Sequence, residues 1–116
     1  MTLDITSIRA TLTGGGRSIT DVTEAALGAA ERTNDQLSAF LQIGRKFATD
    51  RAIALDGNGA PDSPLAGVPI AIKDNICVRG LQTSCGSRIL GDYQPPYDAT
   101  AVDRLNAAGA IVIGKT

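Results

Sequence analysis

Histidine is absent from this chain, and aromatic residues make up only 3% of its 116 positions. Without histidine, neither a serine nor a cysteine can find the paired imidazole base that activates many nucleophiles. Few aromatic faces leave no surface on which nucleic-acid bases could stack. Charge is nearly balanced, with 11 Lys+Arg against 12 Asp+Glu, so no electrostatic grip on nucleic acid or an anionic membrane is expected. Only two cysteines occur, Cys77 and Cys85. Without histidine or further cysteines they cannot complete a metal ligand set. They read as small buried hydrophobes, reduced in a cytoplasmic protein. Met1-Thr2-Leu3-Asp4 has neither the basic start nor the apolar run of a secretory signal, and no stretch is long enough to span a bilayer.

What is present is an alanine-rich alternation of helical and extended segments. Alanine buries little area, so such helices suit close packing against other elements better than a freestanding core. Asp4 to Leu12 reads as a helix with Leu3, Ile5, Ile8 and Leu12 as apolar contacts, ended by Gly14-Gly15-Gly16. Ser18 with Asp21 forms the N-terminal box of a second helix, expected from Ile19 to about Thr33 and stopped by Asn34-Asp35. Leu37 to Ile43 is expected to be extended. Arg45 to Leu55 is a third helix with Ala48, Ala52 and Leu55 on one stripe. Asp56 to Pro64 is rich in turn residues and forms a surface connection. It divides a helical lead, residues 1–63, from a different region, residues 64–116.

In that second region, Val68 to Ile72 has no polar alternation and reads as a strand buried on both faces. Residues 76 to 97 are irregular, with a short helix expected near Ser87 to Leu90. Asp98 to Ala108 is a helix with Ala101, Val102, Leu105 and Ala108 on one side. Gly109 stops it, and Ala110 to Ile113 follows as another apolar strand. Strand, helix, strand implies a parallel pair. The fold class is therefore α/β, with N-terminal helices packed on the first parallel or mixed strands of a larger, incomplete sheet. Two strands with open edges would be marginal alone and would invite pairing with another copy.

One motif has to be set aside. Gly109 to Thr116 satisfies G-x-x-x-x-G-K-[ST], the pattern of a phosphate-binding loop. That loop needs a strand before it and a helix after it. Here a helix comes first, and the four intervening residues are apolar and mostly β-branched, so they form a strand. A nucleotide site is not expected.

Lys73 is the chemical clue. It ends an apolar strand, where composition gives no reason for a lysine. It is either a side chain snorkelling to water or a base at a sheet end, which requires burial to favour the neutral amine. Asp74 is either a turn carboxylate, the preferred reading, or a group that orients nearby backbone. Ser84, Ser87, Cys77 and Cys85 follow within reach as weak nucleophile candidates. Arg79, Arg88 and Arg104 read as solvated, and Tyr93 and Tyr97 as packing anchors beside Pro95-Pro96.

The run Pro64-Leu65-Ala66-Gly67-Val68-Pro69-Ile70-Ala71-Ile72-Lys73-Asp74-Asn75 resembles the first block of the amidase signature family. Thr83 to Ser87, Pro95 to Thr100, Arg104-Leu105, Ala108 to Ala110 and Gly114-Lys115-Thr116 follow in that family's order. The resemblance is tight from Pro64 to Thr116 and looser over the helical lead, although Thr23-Glu24-Ala25 is also typical. Within the family the wording is most similar to the glutamyl-tRNA(Gln) amidotransferase branch. The resemblance implies a Ser–cis-Ser–Lys triad in which Lys73 is the lysine, the middle serine relays a proton, and the nucleophilic serine forms an acyl-enzyme and releases ammonia. Both triad serines and the oxyanion turn are expected downstream of Thr116, so the 116 residues alone are expected to be inactive. Ser84 and Ser87 fall at loop positions of the family, not at its nucleophile. The implied substrate is glutamine and the implied partners are amidotransferase subunits. No cofactor is expected on this chain, because ATP and magnesium belong to the partner that handles tRNA. Two alternatives are a general amidase of the same family and a non-catalytic truncated module that folds or oligomerises.

Overall fold

The computed structural model describes residues 4–116; the expected Leu3 contact lies outside them. Asp4 caps helix α1 (Ile5–Thr13) in a reciprocal box with Ser7, and Ser18 caps α2 (Ile19–Leu37) in the expected box with Asp21. Each box satisfies amides that the helix itself leaves without partners. The far end of α2 differs from expectation. Asn34 does not stop the helix, because its side chain is engaged elsewhere: Oδ1 accepts from Phe40 N at 2.8 Å and Nδ2 donates to Phe40 O at 3.1 Å. The helix ends four residues later, at Ser38, whose φ of 49° is left-handed. Strand β1 is only Gln42–Ile43, and α3 (Arg45–Asn58) follows with Ala48, Ala52 and Leu55 buried as one stripe. Asp56, near the end of α3, accepts from Ile19 N at 2.9 Å and Thr20 N at 2.8 Å. This ties the third helix to the start of the second.

Strands β2 (Pro69–Ile72) and β3 (Ile111–Lys115) flank α4 (Thr100–Ala107) in sequence. The sheet order is β1-β3-β2, with β1 antiparallel and β2 parallel to β3. The expected parallel pair is present, but the central strand is the last one in the chain. Every residue of β3 is buried. Ile111 and Ile113 enter a cluster with Ile19, Leu27, Ala48, Ala52 and Leu55. Val112 enters a second cluster with Ile72, Val78, Leu81 and Val102. Side chains of a strand alternate between faces, so β3 holds a core on each side. The two-faced burial expected of β2 is not found: Ala71 is exposed, because β2 is an edge strand. Residues 87–90 form turns and not the expected helix. Ala101 is exposed, so the buried face of α4 narrows to Val102, with Leu105 half-buried beside it.

Two positions show how close the packing is. A Cβ at Gly114 would meet the Gln42 carbonyl oxygen inside contact distance and Phe40 Cδ1 at 2.8 Å. The glycine of the Gly114-Lys115-Thr116 run therefore lets β1 lie against β3, and no turn around a phosphate occurs there. Thr23 is fully buried and its hydroxyl has no hydrogen-bond partner among the described residues. A buried hydroxyl without a partner costs roughly 1–3 kcal/mol.

Two substitutions are expected to act differently on the urea midpoint. Gly114→Ala should destabilise the protein by about 1–3 kcal/mol, as overpacking does, by forcing β1 off β3. Thr23→Val, of the same shape without the hydroxyl, should leave stability unchanged or raise it. A destabilised Thr23→Val protein would mean that this hydroxyl has a partner after all.

Candidate active site at the sheet end

The parallel register sets Ile72 beside Lys115 at the C-terminal end of the sheet. The ladder continues past the strands. Thr116 N donates to Ile72 O at 3.0 Å, and Asp74 N donates to Thr116 O at 2.7 Å. Lys73, between those two groups, has its backbone held on both sides. Its side chain is exposed and makes no hydrogen bond or ion pair among the described residues. It lines a shallow concavity of about 300 Å³ with Ser38, Ala39, Leu41, Asp74, Asn75, Cys85, Gly86 and Thr116. The burial expected for a base is thus not found at Lys73.

The buried lysine is Lys115, which the sequence places in a false phosphate motif and in the last block of the family resemblance, with no role of its own. Its side chain is wholly inaccessible, and Nζ donates to Ile76 O at 2.8 Å, Gln82 O at 3.2 Å and Thr83 Oγ1 at 3.0 Å. An ammonium has three protons to donate, and each finds an acceptor. Asp74 Oδ1 lies 3.9 Å from Nζ. Burial lowers the pKa of Lys115 while the Asp74 charge opposes the shift. The same clue that singled out Lys73, a lysine ending an apolar strand, marked Lys115 as well.

Asp74 lies in a turn, as expected, but it is buried there and also takes the alternative role of orienting nearby backbone. Its carboxylate accepts from Ser84 N at 3.1 and 3.2 Å and from the Ser84 hydroxyl. Burial pushes the Asp74 carboxyl up, but the Ser84 hydroxyl and amide, the Gly86 amide and the Lys115 charge together draw it below 3.8. Asp74 therefore organises the 83–86 turn. Ser84 donates to Asp74 and not to Lys73, so the structure does not assemble a Ser84–Lys73 dyad. Ser87 Oγ accepts from Ile89 N at 3.2 Å within its own turn.

The remaining candidates are scattered. Cys85 is exposed, with a left-handed φ of 52°, and Cys77 is half-buried, its thiol 3.5 Å from the Tyr97 hydroxyl. Neither is the buried apolar filler expected of it. Tyr93 and Tyr97 are 42% and 55% exposed and are not the packing anchors expected, whereas Pro95 beside them is buried. Arg79, Arg88 and Arg104 are exposed, as expected. Among the described residues no cluster of acidic, cysteine or histidine side chains could hold a metal, and no helix is long and apolar enough to cross a membrane.

Asp74 makes stability depend on pH with a defined sign. Its carboxyl titrates lower in the folded chain than the ordinary 3.8. Its contribution is therefore present above about pH 4 and is lost as pH falls through the depressed value. Ser84→Ala removes a donor to the charged form, so the acid-unfolding midpoint should move to higher pH. Stability at neutral pH should also drop by about 1.5–3 kcal/mol. An acid transition unchanged by this substitution, followed by circular dichroism, would contradict the assignment.

Comparison with known proteins agrees with this architecture. The family model described as Amidase matches residues 21–116. A glutamyl-tRNA(Gln) amidotransferase subunit of Limosilactobacillus fermentum is 45% identical over 113 residues, covering 97% of this chain and 23% of the relative. The corresponding chloroplastic/mitochondrial subunit of Sorghum bicolor is 44% identical over 120 residues, covering 99% of this chain and 22% of the relative. In three dimensions the chain superposes on the native peptide amidase of Stenotrophomonas maltophilia with a TM-score of 0.86 and 32% identity, covering 99% of this chain and 24% of that one. It thus spans about a quarter of the length of the proteins it matches. The helical lead, the mixed sheet and the strand-end lysines all lie within these matches, and the chain belongs to the amidase family.

Proposed function

We propose that this chain contributes Lys73 to a Ser–cis-Ser–Lys amidase centre, and that the reaction it serves is hydrolysis of the glutamine side-chain amide. The observation that carries the reading is the state of Lys73. Its neighbours Ile72 and Asp74 are both bonded to Thr116, and its amine is left unengaged at the rim of a concavity. A proton acceptor needs a fixed position and a free nitrogen; the cover that would favour the neutral amine at the exposed Lys73 is proposed to come from the same source as the two serines. In the proposed reaction a serine hydroxyl attacks the amide carbon while a second serine passes its proton to the Lys73 amine. The C–N bond then breaks, the nitrogen leaves protonated as ammonia, and water releases the acyl group. Ammonia would pass to amidotransferase partner subunits for amidation of Glu-tRNA(Gln). Identities of 45% and 44% to glutamyl-tRNA(Gln) amidotransferase subunits support that choice of substrate and partners. ATP and magnesium are assigned to the partner. Cytoplasmic residence belongs to the same proposal, with plastid or mitochondrion as the alternative raised by the Sorghum bicolor relative.

A second reading, a general amidase, is favoured by the backbone likeness to a peptide amidase. The two are separated by substrate: release of ammonia from glutamine against release from C-terminally amidated peptides. In both, the two serines and the oxyanion donors are proposed to be supplied from outside residues 1–116. These 116 residues alone should therefore hydrolyse no amide.

Ammonia release by the full-length protein tests the assignment. Lys73→Ala should lower kcat/KM by about 10²–10⁴-fold, the range for removing a general base, with the fold intact by circular dichroism. Full turnover in that variant would end the role proposed for Lys73.

A further inference from the structure

Lys115 is a buried cation that the proposed chemistry does not use. Stability alone gives no reason for it. An apolar side chain of similar volume would continue β3 without desolvating a charge, and such replacements are often neutral or stabilising. What the ammonium provides is geometry. Residues 73–83 contain no helix or strand, and beyond the bond from Asp74 N to Thr116 O no backbone ladder to β3 continues among the described residues. Lys115 takes over that task from the end of β3, binding Ile76 O, Gln82 O and Thr83 Oγ1, with the Asp74 carboxylate 3.9 Å away. These contacts gather the loop after Lys73 around one point. Asp74 then passes the constraint to Ser84 through the amide contacts at 3.1 and 3.2 Å. It also accepts from Cys85 N at its own carbonyl, at 3.3 Å. Cys85 and Gly86 line the concavity that Lys73 lines.

We propose that Lys115 is a positioning residue: its buried ammonium fixes Asp74 and the 76–86 loop against β3, and through them fixes Lys73 and the wall of the concavity. The catalytic part of this statement rests on the amidase reading above; the placement part does not.

The test uses the full-length protein with Lys115→Met and with Thr83→Val, an isosteric change that removes a single acceptor and keeps the core filled. Rates are normalised to folded protein. Lys115→Met should lower kcat about a hundredfold, the scale of a misplacement of roughly 1 Å, with KM little changed. Thr83→Val should give a smaller loss and add nothing in the Lys115→Met background. Amide hydrogen exchange gives the second readout. Protection at Asp74 and Cys85 should fall in both single variants, while that of Val22 and Leu27 in α2 is retained. If Lys115→Met does not fold, the Thr83→Val results decide. Wild-type kcat together with wild-type protection would overturn the proposal. Loss of rate with protection unchanged would also overturn it, since Lys115 would then act by something other than position. A wild-type protein that hydrolyses no amide would refute the amidase reading alone, and the exchange data would still decide whether Lys115 holds Asp74 in place.

Discussion

Pairing along both edges of β3 is the constraint on which the other features depend. Gln42 and Ile43 lie antiparallel to Lys115 and Gly114, and Pro69 to Ile72 lie parallel to Ile111 to Lys115. Because β3 is flanked on both sides, its faces are available for packing, and each carries its own apolar cluster. The helical lead is held by one of these clusters and α4 by the other. The same pairing delivers Ile72 to Lys115 and Asp74 to Thr116, so the sheet that organises the core also places the candidate site.

Two lysines end two neighbouring strands and meet opposite fates. Lys73 follows the edge strand β2, where Ala71 is already exposed, and its amine reaches open space. Lys115 ends the central strand, where no route to water exists, and its amine is met by carbonyls and a hydroxyl instead. Burial of a charge is tolerated only when every donor is matched and an opposite charge is near. Ile76, Gln82, Thr83 and Asp74 meet that requirement. The loop is thereby bound to a residue more than thirty positions later in the chain.

Glycine and asparagine positions that look like breaks serve tertiary contacts. Gly114 sits where a side chain would strike the Gln42 carbonyl and Phe40. Asn34, expected to stop α2, lies inside the helix and uses its amide to bind both backbone groups of Phe40. Local propensity could not reveal the role of Gly114, because its partners come from a distant segment; Asn34 is met by Phe40 just beyond the helix end.

The sequence by itself determined the helix starts at Asp4 and Ser18, the apolar stripe of α3, the parallel pair β2 and β3, and the family resemblance centred on Lys73. These signals are local: a capping side chain, a period of side chains, a run of β-branched residues. Only the tertiary structure decided that β3 is central, that β2 is an edge with Ala71 exposed, and that Asp74 is buried against Ser84. It also decided that Lys115, and not Lys73, is the enclosed lysine. Which strand lies in the middle depends on pairing between segments far apart in the chain. Burial at the sheet end follows from that pairing, not from the residues on either side of a lysine.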